Sequence, residues 1–179
     1  MDAQTSMELT KILNLGADII KEMDVPLPTY IRVLCVDDDV FDFELLSGVL
    51  SRSKKITYRT EAANTYSDAL AMIRENRHDI YLVDFKLGGP KTGLELIKEC
   101  IAAGFYGPFL IWSGMVHEAV YEEALNTSTI INYISKDETN IIVLDNVLRY
   151  SIKNWRIYNR VRKFQACFNS LKQHFPTVG

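Results

Sequence analysis

The chain reads as an α/β protein: a doubly wound, five-stranded parallel sheet in the order 2-1-3-4-5, with an added N-terminal helix and an extended C-terminal helix. Three observations lead there. Apolar runs alternate with amphipathic stretches five times between Ile31 and Asn154, the signature of (βα)5 units with right-handed crossovers. Ile80-Tyr81-Leu82-Val83 is almost wholly apolar, as a strand covered on both faces must be. Four of the runs end on polar residues that suit one another chemically: the first on Asp37-Asp38-Asp39, the third on Asp84, the fourth on Ser113 and the fifth on Lys136. The carboxyl ends of parallel strands form one edge of a sheet, and ligands bind there. In this strand order the first and third strands flank the switch point, so Asp37, Asp38 and Asp84 become neighbours.

Each element follows from local pattern. Residues 1–24 read as a helix: Thr5 and Glu8 have capping-box spacing, and Leu9, Ile12, Leu13, Ile19, Ile20 and Met23 lie broadly on one face. Val25-Pro26-Leu27-Pro28 ends it, because proline disfavours helix at and before its own position. Strand 31–36 leads to helix 40–51, whose apolar residues are Phe41, Leu45, Leu46, Val49 and Leu50. Ile56-Thr57-Tyr58-Arg59-Thr60 alternates as an edge strand does. Helix 65–76 turns Ala69, Leu70 and Ile73 inward. Strand 80–84, helix 93–103, strand 108–113, helix 117–126 and strand 130–135 complete the alternation. The last helix starts near 138 and is unusually long. Ile141, Leu144, Leu148, Ile152, Trp155 and Tyr158 recur at three- and four-residue steps, and the pattern runs on toward Cys167. The expected division is 1–30 as a helical extension with a proline linker, 31–155 as the sheet domain, and 156–179 as a C-terminal helical extension.

Composition narrows the function. Of the 179 residues, 47% are apolar, enough for a full core. The net charge of -3 gives no reason to expect nucleic acid. That average hides a polarity, since Arg149, Lys153, Arg156, Arg160, Arg162, Lys163 and Lys172 face no Asp or Glu from Arg149 onward. Cys35, Cys100 and Cys167 form neither a CxxC pair nor a Cys/His cluster, which fits a reducing, cytoplasmic setting with Cys35 in the core. There is no signal-peptide pattern and no run approaching a membrane span. His78, His117 and His174 lack ligand spacing and are expected at the surface.

The converging residues suit a divalent cation and a phosphoryl group. Asp84, fixed by a rigid strand yet exposed at the pocket, is a suitable nucleophile for forming an aspartyl phosphate. Asp37 and Asp38 offer hard oxygen ligands for Mg²⁺, while Asp39 caps helix 40–51. Three carboxylates so close repel one another, and Mg²⁺ or the Lys136 ammonium relieves that repulsion. Lys136 pairs with a carboxylate at rest and with a phosphoryl oxygen after transfer, and the Ser113 hydroxyl can donate to the same group.

Val36-Asp37-Asp38-Asp39, Leu82-Val83-Asp84-Phe85-Lys86-Leu87-Gly88, Gly93-Leu94-Glu95-Leu96, Trp112-Ser113-Gly114 and Tyr133-Ile134-Ser135-Lys136 together resemble the receiver domain of two-component response regulators. The likeness covers about 31–155 and implies a flavodoxin-like, CheY-like fold. It further implies Asp84 as phosphoacceptor, with Asp37, Asp38, Asp84 and the Lys86 backbone carbonyl as Mg²⁺ ligands. Ser113 takes the place of the switch hydroxyl, Tyr133 of the switch aromatic and Lys136 of the family's lysine. The implied partner is a histidine kinase or a phosphotransfer protein. Two departures stand out. The Asp84-to-Gly93 spacing is one residue longer than the common pattern, so a bulged Gly88–Thr92 loop is expected. Asp137 replaces the usual proline, whose preceding peptide is typically cis, so the loop after the fifth strand is expected to change.

Other readings compete. Asp37-Asp38-Asp39-Val40 also satisfies the D-x-D-x-[TV] pattern of haloacid dehalogenase-like phosphatases, with Asp37 as nucleophile and Asp39 as acid/base. That reading leaves Asp84 without a role and lacks a later acidic pair. A phosphorylation-independent docking or dimerisation module is the third reading. Beyond the receiver-like region the sequence leaves too little chain for a winged helix or a catalytic domain. The basic last helix and the N-terminal helix are therefore the candidate output, as a homodimer interface or a dock for an acidic partner.

Overall fold

The computed structural model describes residues 3–24, 26, 28–114 and 130–174. It contains two compact units, Pro28–Ile152 and Met1–Leu27 with Lys153–Gly179. The larger unit holds β1 (Tyr30–Val36), β2 (Thr57–Ala63), β3 (Ile80–Val83), β4 (Phe109–Ser113) and β5 (Ile130–Ser135). Every pairing is parallel, and the order is β2-β1-β3-β4-β5, as the alternation predicts. Helices α2 (Val40–Leu50), α3 (Tyr66–Arg74) and α4 (Gly93–Ala102) connect the strands, and α5 (Ile141–His174) follows β5 as one continuous helix. The helix expected over 117–126, with Met115 and His117, lies outside the described residues.

Period-2 alternation along the strands sends side chains to two separate cores. On one face Ile31, Val33, Cys35, Leu82, Leu110 and Trp112 pack with Leu46, Val49 and Leu50 of α2 and Leu144, Leu148 and Ile152 of α5. On the other, Leu34, Val36, Tyr81, Val83 and Ile111 pack with Ala69 and Ile73 of α3 and Leu96, Ile97 and Cys100 of α4. Burial pushes the Cys35 thiol up and raises that of Cys100 to about 11, so both behave as small apolar residues. β2 runs three residues past the expected end, because Glu61-Ala62-Ala63 pair in register with Leu34-Cys35-Val36. Pairing to a buried strand overrides the weak strand preference of Glu and Ala.

One expectation is overturned. His78 is not a surface residue: it is buried, edge-on to Tyr81, with Nε2 3.3 Å from a Glu61 carboxylate oxygen. Burial holds its pKa below the ordinary value. In α2 only Leu46, Val49 and Leu50 are buried, whereas Phe41 is 79% and Leu45 50% exposed. After β5 the chain enters a 3-10 turn, Lys136–Glu138, opened by the Ser135 side chain accepting from Asp137 N. Among the described residues no peptide is cis.

The smaller unit pairs α1 (Ala3–Asp24) with the distal half of α5. A Cβ on Gly16 would stand 3.7 Å from the Phe164 ring, and Arg160 lies 3.5 Å from Asp18. Met7, Leu13 and Ile20 of α1 and Tyr158, Val161 and Phe168 of α5 remain exposed.

Candidate functional site

Backbone register assembles the site. Val36 pairs with Val83, so the residues that follow, Asp37 and Asp84, leave neighbouring strands side by side. Asp84 N donates to Val36 O (2.8 Å) and Asp37 N to Ala63 O (3.1 Å), which extends the sheet by one residue under both carboxylates. Ser113 pairs with Ser135 at the ends of β4 and β5, so Lys136 starts directly beyond. Gly93 opens α4 against the Asp84 carbonyl, and any Cβ there would clash with it. Gly88 adopts φ 61°, and a Cβ there would meet the Asp38 carboxylate at 2.5 Å, so both the backbone and the close approach require glycine. An antiparallel bridge between Lys86 and Thr92, and a capping box between Thr92 and Glu95, close the longer loop between them.

Lys136 is the hub. Its ammonium lies 2.7 Å from Asp37 Oδ2, 2.6 Å from Asp42 Oδ2 and 3.1 Å from Asp84 Oδ2. Its side chain is mostly buried, and the ammonium sits 5.1 Å from the centre of the Trp112 ring. Burial alone would lower the lysine's pKa, but the hydrogen bonds to Asp37 and Asp42 and the charge of Asp84 outweigh it and raise the pKa above the ordinary value. Asp37 is 1% exposed. Burial raises its pKa, although the ammonium and the Asp39 N–H partly offset that. Asp39 is spent as a cap: its Oδ1 accepts from Phe41 N at 2.8 Å.

Asp37, Asp38 and Asp84 each present a carboxylate oxygen within 4.8 Å of the others. Oxygens around one octahedral Mg²⁺ lie about 3 to 4.2 Å apart, so this set is near enough to close on the ion by local adjustment of the carboxylates. Asp84 Oδ1 is buried without a hydrogen-bond partner in the protein. Such an atom is expensive unless a cation or a proton donor meets it. The three residues therefore fit the metal that their sequence pattern implies. Beside them a pocket of about 250 Å³ is lined by Asp42, Asp84, Phe85, Lys86, Ser113, Gly114 and Lys136.

Of the sequence-selected residues, Asp84, Lys86, Ser113 and Lys136 line this pocket, and Asp37 and Asp38 stand beside it through Lys136 and the carboxylate cluster. Tyr133 adjoins it: the half-buried ring packs against the α3/α4 core, and its hydroxyl donates to the Ser113 carbonyl at 3.3 Å. The ring already lies inward. Trp112 is fully buried and donates from Nε1 to Thr139 Oγ1 at 3.3 Å. Sequence reasoning missed Asp42. The signal was available, since a residue three positions past the Asp39 cap returns to the same side of the helix.

The sequence profile of the response regulator receiver domain matches residues 33–149, which contain the whole acidic cluster and Lys136. The chain belongs to the response regulator receiver domain family. Receiver domains generally bind Mg²⁺ through acidic residues, the kind clustered here. Among solved structures, the chain resembles the signal receiver domain of a putative LuxO repressor protein from Vibrio parahaemolyticus (15% identity, TM-score 0.62, covering 74% of this chain and 97% of that one). It also resembles a CheY-like receiver domain from Methanospirillum hungatei JF-1 (23%, TM-score 0.60, 71% and 97%). A third is the receiver domain of the putative response regulator NarL from Mycobacterium tuberculosis (23%, TM-score 0.58, 69% and 98%). At these identities the likeness is one of fold. No curated protein sequence matches. Among the described residues no helix is long and apolar enough to cross a membrane.

Proposed function

We propose that this receiver domain accepts a phosphoryl group on Asp84 from a phosphohistidine of a histidine kinase or phosphotransfer protein, and that transfer changes which proteins it binds. The observation that carries this reading is the state of the Asp84 carboxylate. One oxygen rests on the Lys136 ammonium, and the other is buried without a protein partner, beside a pocket that also holds Ser113 and Lys86. In the step itself an Asp84 oxygen attacks phosphorus and a P–O bond forms. The P–N bond of the donor breaks, and the imidazole nitrogen keeps the electron pair and takes up a proton. Lys136 pairs with a phosphoryl oxygen while remaining anchored by Asp37 and Asp42. Asp37, Asp38, Asp84 and the Lys86 carbonyl would hold Mg²⁺, which when bound neutralises charge on the phosphoryl oxygens. The Ser113 hydroxyl donates to the phosphoryl group, and any movement of Ser113 is passed to Tyr133 through the bond from its hydroxyl to the Ser113 carbonyl.

The test is incubation with a small-molecule phosphodonor, with and without Mg²⁺, followed by intact mass. One phosphoryl group is expected per chain with Mg²⁺, and none on Asp84→Asn. Undiminished, Mg²⁺-dependent incorporation by Asp84→Asn would overturn the assignment.

A further inference from the structure

A second pocket, of about 430 Å³, lies in the sheet unit away from the acidic site, between the loop that follows α2 and the first turns of α5. Arg52, Ser53, Lys54, Lys55, Ile141, Ile142, Asp145, Asn146 and Arg149 line it, and four of these are cations against one acid. The loop leads into the amino end of β2, so it belongs to the sheet edge opposite the one that carries Asp37 and Asp84.

The single acid is already in use. Asp145 Oδ1 accepts from the Tyr58 hydroxyl at 2.8 Å and from the Ser53 hydroxyl at 3.3 Å. Its other oxygen stands 3.7 Å from Arg149 Nη1, beyond hydrogen-bond distance, and Arg149 Nε is buried without a partner. Among the described residues Arg52, Lys54 and Lys55 make no ion pair. A solvated basic helix face would be convex and peppered with acids. Here the cations rim a recess with an apolar wall, Ile141 and the 71% exposed Ile142, and a neighbouring amide, Asn146. The volume lies within the range of small-molecule sites.

We propose that this recess binds a soluble small molecule carrying several phosphates and a planar apolar part, the chemistry of a nucleotide. Lys54, Lys55 and Arg52 take the phosphates, Arg149 closes on them with its planar fork, and the isoleucine wall takes the flat group. A membrane surface is less suited to a recess, and an acidic protein would need a broader face. The site is independent of phosphoryl chemistry at Asp84.

The test is fluorescence titration with a fluorescent adenosine triphosphate analogue in buffer containing EDTA, so that metal-bridged binding at the acidic cluster cannot contribute. Inorganic tripolyphosphate and anionic phosphatidylglycerol vesicles are run as parallel probes. Lys54 and Lys55 are exposed, so the double variant Lys54→Ala/Lys55→Ala keeps the fold. Expected are saturable binding of the analogue, tighter than that of tripolyphosphate, and a loss of about tenfold or more in the double variant, as removal of charge-assisted contacts implies. Affinity should also fall with added salt. Absence of saturable binding, equal affinity in the variant, affinity no better than that of tripolyphosphate, or binding to vesicles alone would overturn the proposal.

Discussion

Lys136 shows how a single residue sets the character of the site. Its ammonium serves three carboxylates, and two of them, Asp37 and Asp84, are buried. Removing one member of such a buried set leaves the others uncompensated, which typically costs about 3 kcal/mol. Lys136→Met should therefore lose stability of that order in urea unfolding without divalent cations. Millimolar Mg²⁺ should then stabilise the variant more than the wild type, because the metal takes over the neutralisation and binding to the folded state adds stability by mass action. A variant as stable as the wild type, or one indifferent to Mg²⁺, would show that the acids do not converge as described. The sequence indicated this hub through strand-end residues alone, because parallel register brings strand ends together whatever their separation along the chain. Asp42 escaped because it sits on a helix, where side-chain direction depends on a start position fixed by the Asp39 cap.

At the scale of elements, α2 has two jobs. Leu46, Val49 and Leu50 anchor it to the sheet, while Phe41, Val40 and Leu45 are left in solvent near the N-terminal turn that carries Asp42. Under the proposed function, these exposed apolar side chains beside the pocket are where a protein donor would dock. Phe41→Ala should slow phosphoryl transfer from a histidine-phosphorylated protein donor by tenfold or more, roughly the cost of removing one aromatic anchor. It should leave labelling by a small-molecule donor unchanged. Equal loss with both donors would point to damage at the site instead. The sequence did not separate Phe41 and Leu45 from Leu46, Val49 and Leu50, because every apolar position on a short helix resembles every other, and only packing separates the buried stripe from the exposed one. The same ambiguity hid His78, whose burial depends on Tyr81 and Glu61 from other parts of the sheet unit. Strand order and the extended last helix were legible, since the βα alternation and the long three- and four-residue periodicity are each repeated signals.

At the scale of the whole chain, the second unit gives the receiver its individuality. Met7, Leu13 and Ile20 on α1, with Tyr158, Val161 and Phe168 on α5, are exposed apolar side chains on a two-helix unit too small to cover them. We propose that a second copy covers them, making a homodimer through both helices. Light scattering should give twice the 20.5 kDa chain mass, and deletion of 1–27 should return the protein to one chain mass. An unchanged mass on deletion would remove α1 from any such interface. The most direct test of Asp84 as phosphoacceptor is phosphorylation with a small-molecule donor and Mg²⁺, borohydride reduction of the acyl phosphate, and peptide mapping of the reduced residue. The expected result is modification at Asp84 alone. Modification at Asp37, the nucleophile of the phosphatase reading, or at no aspartate, would contradict it.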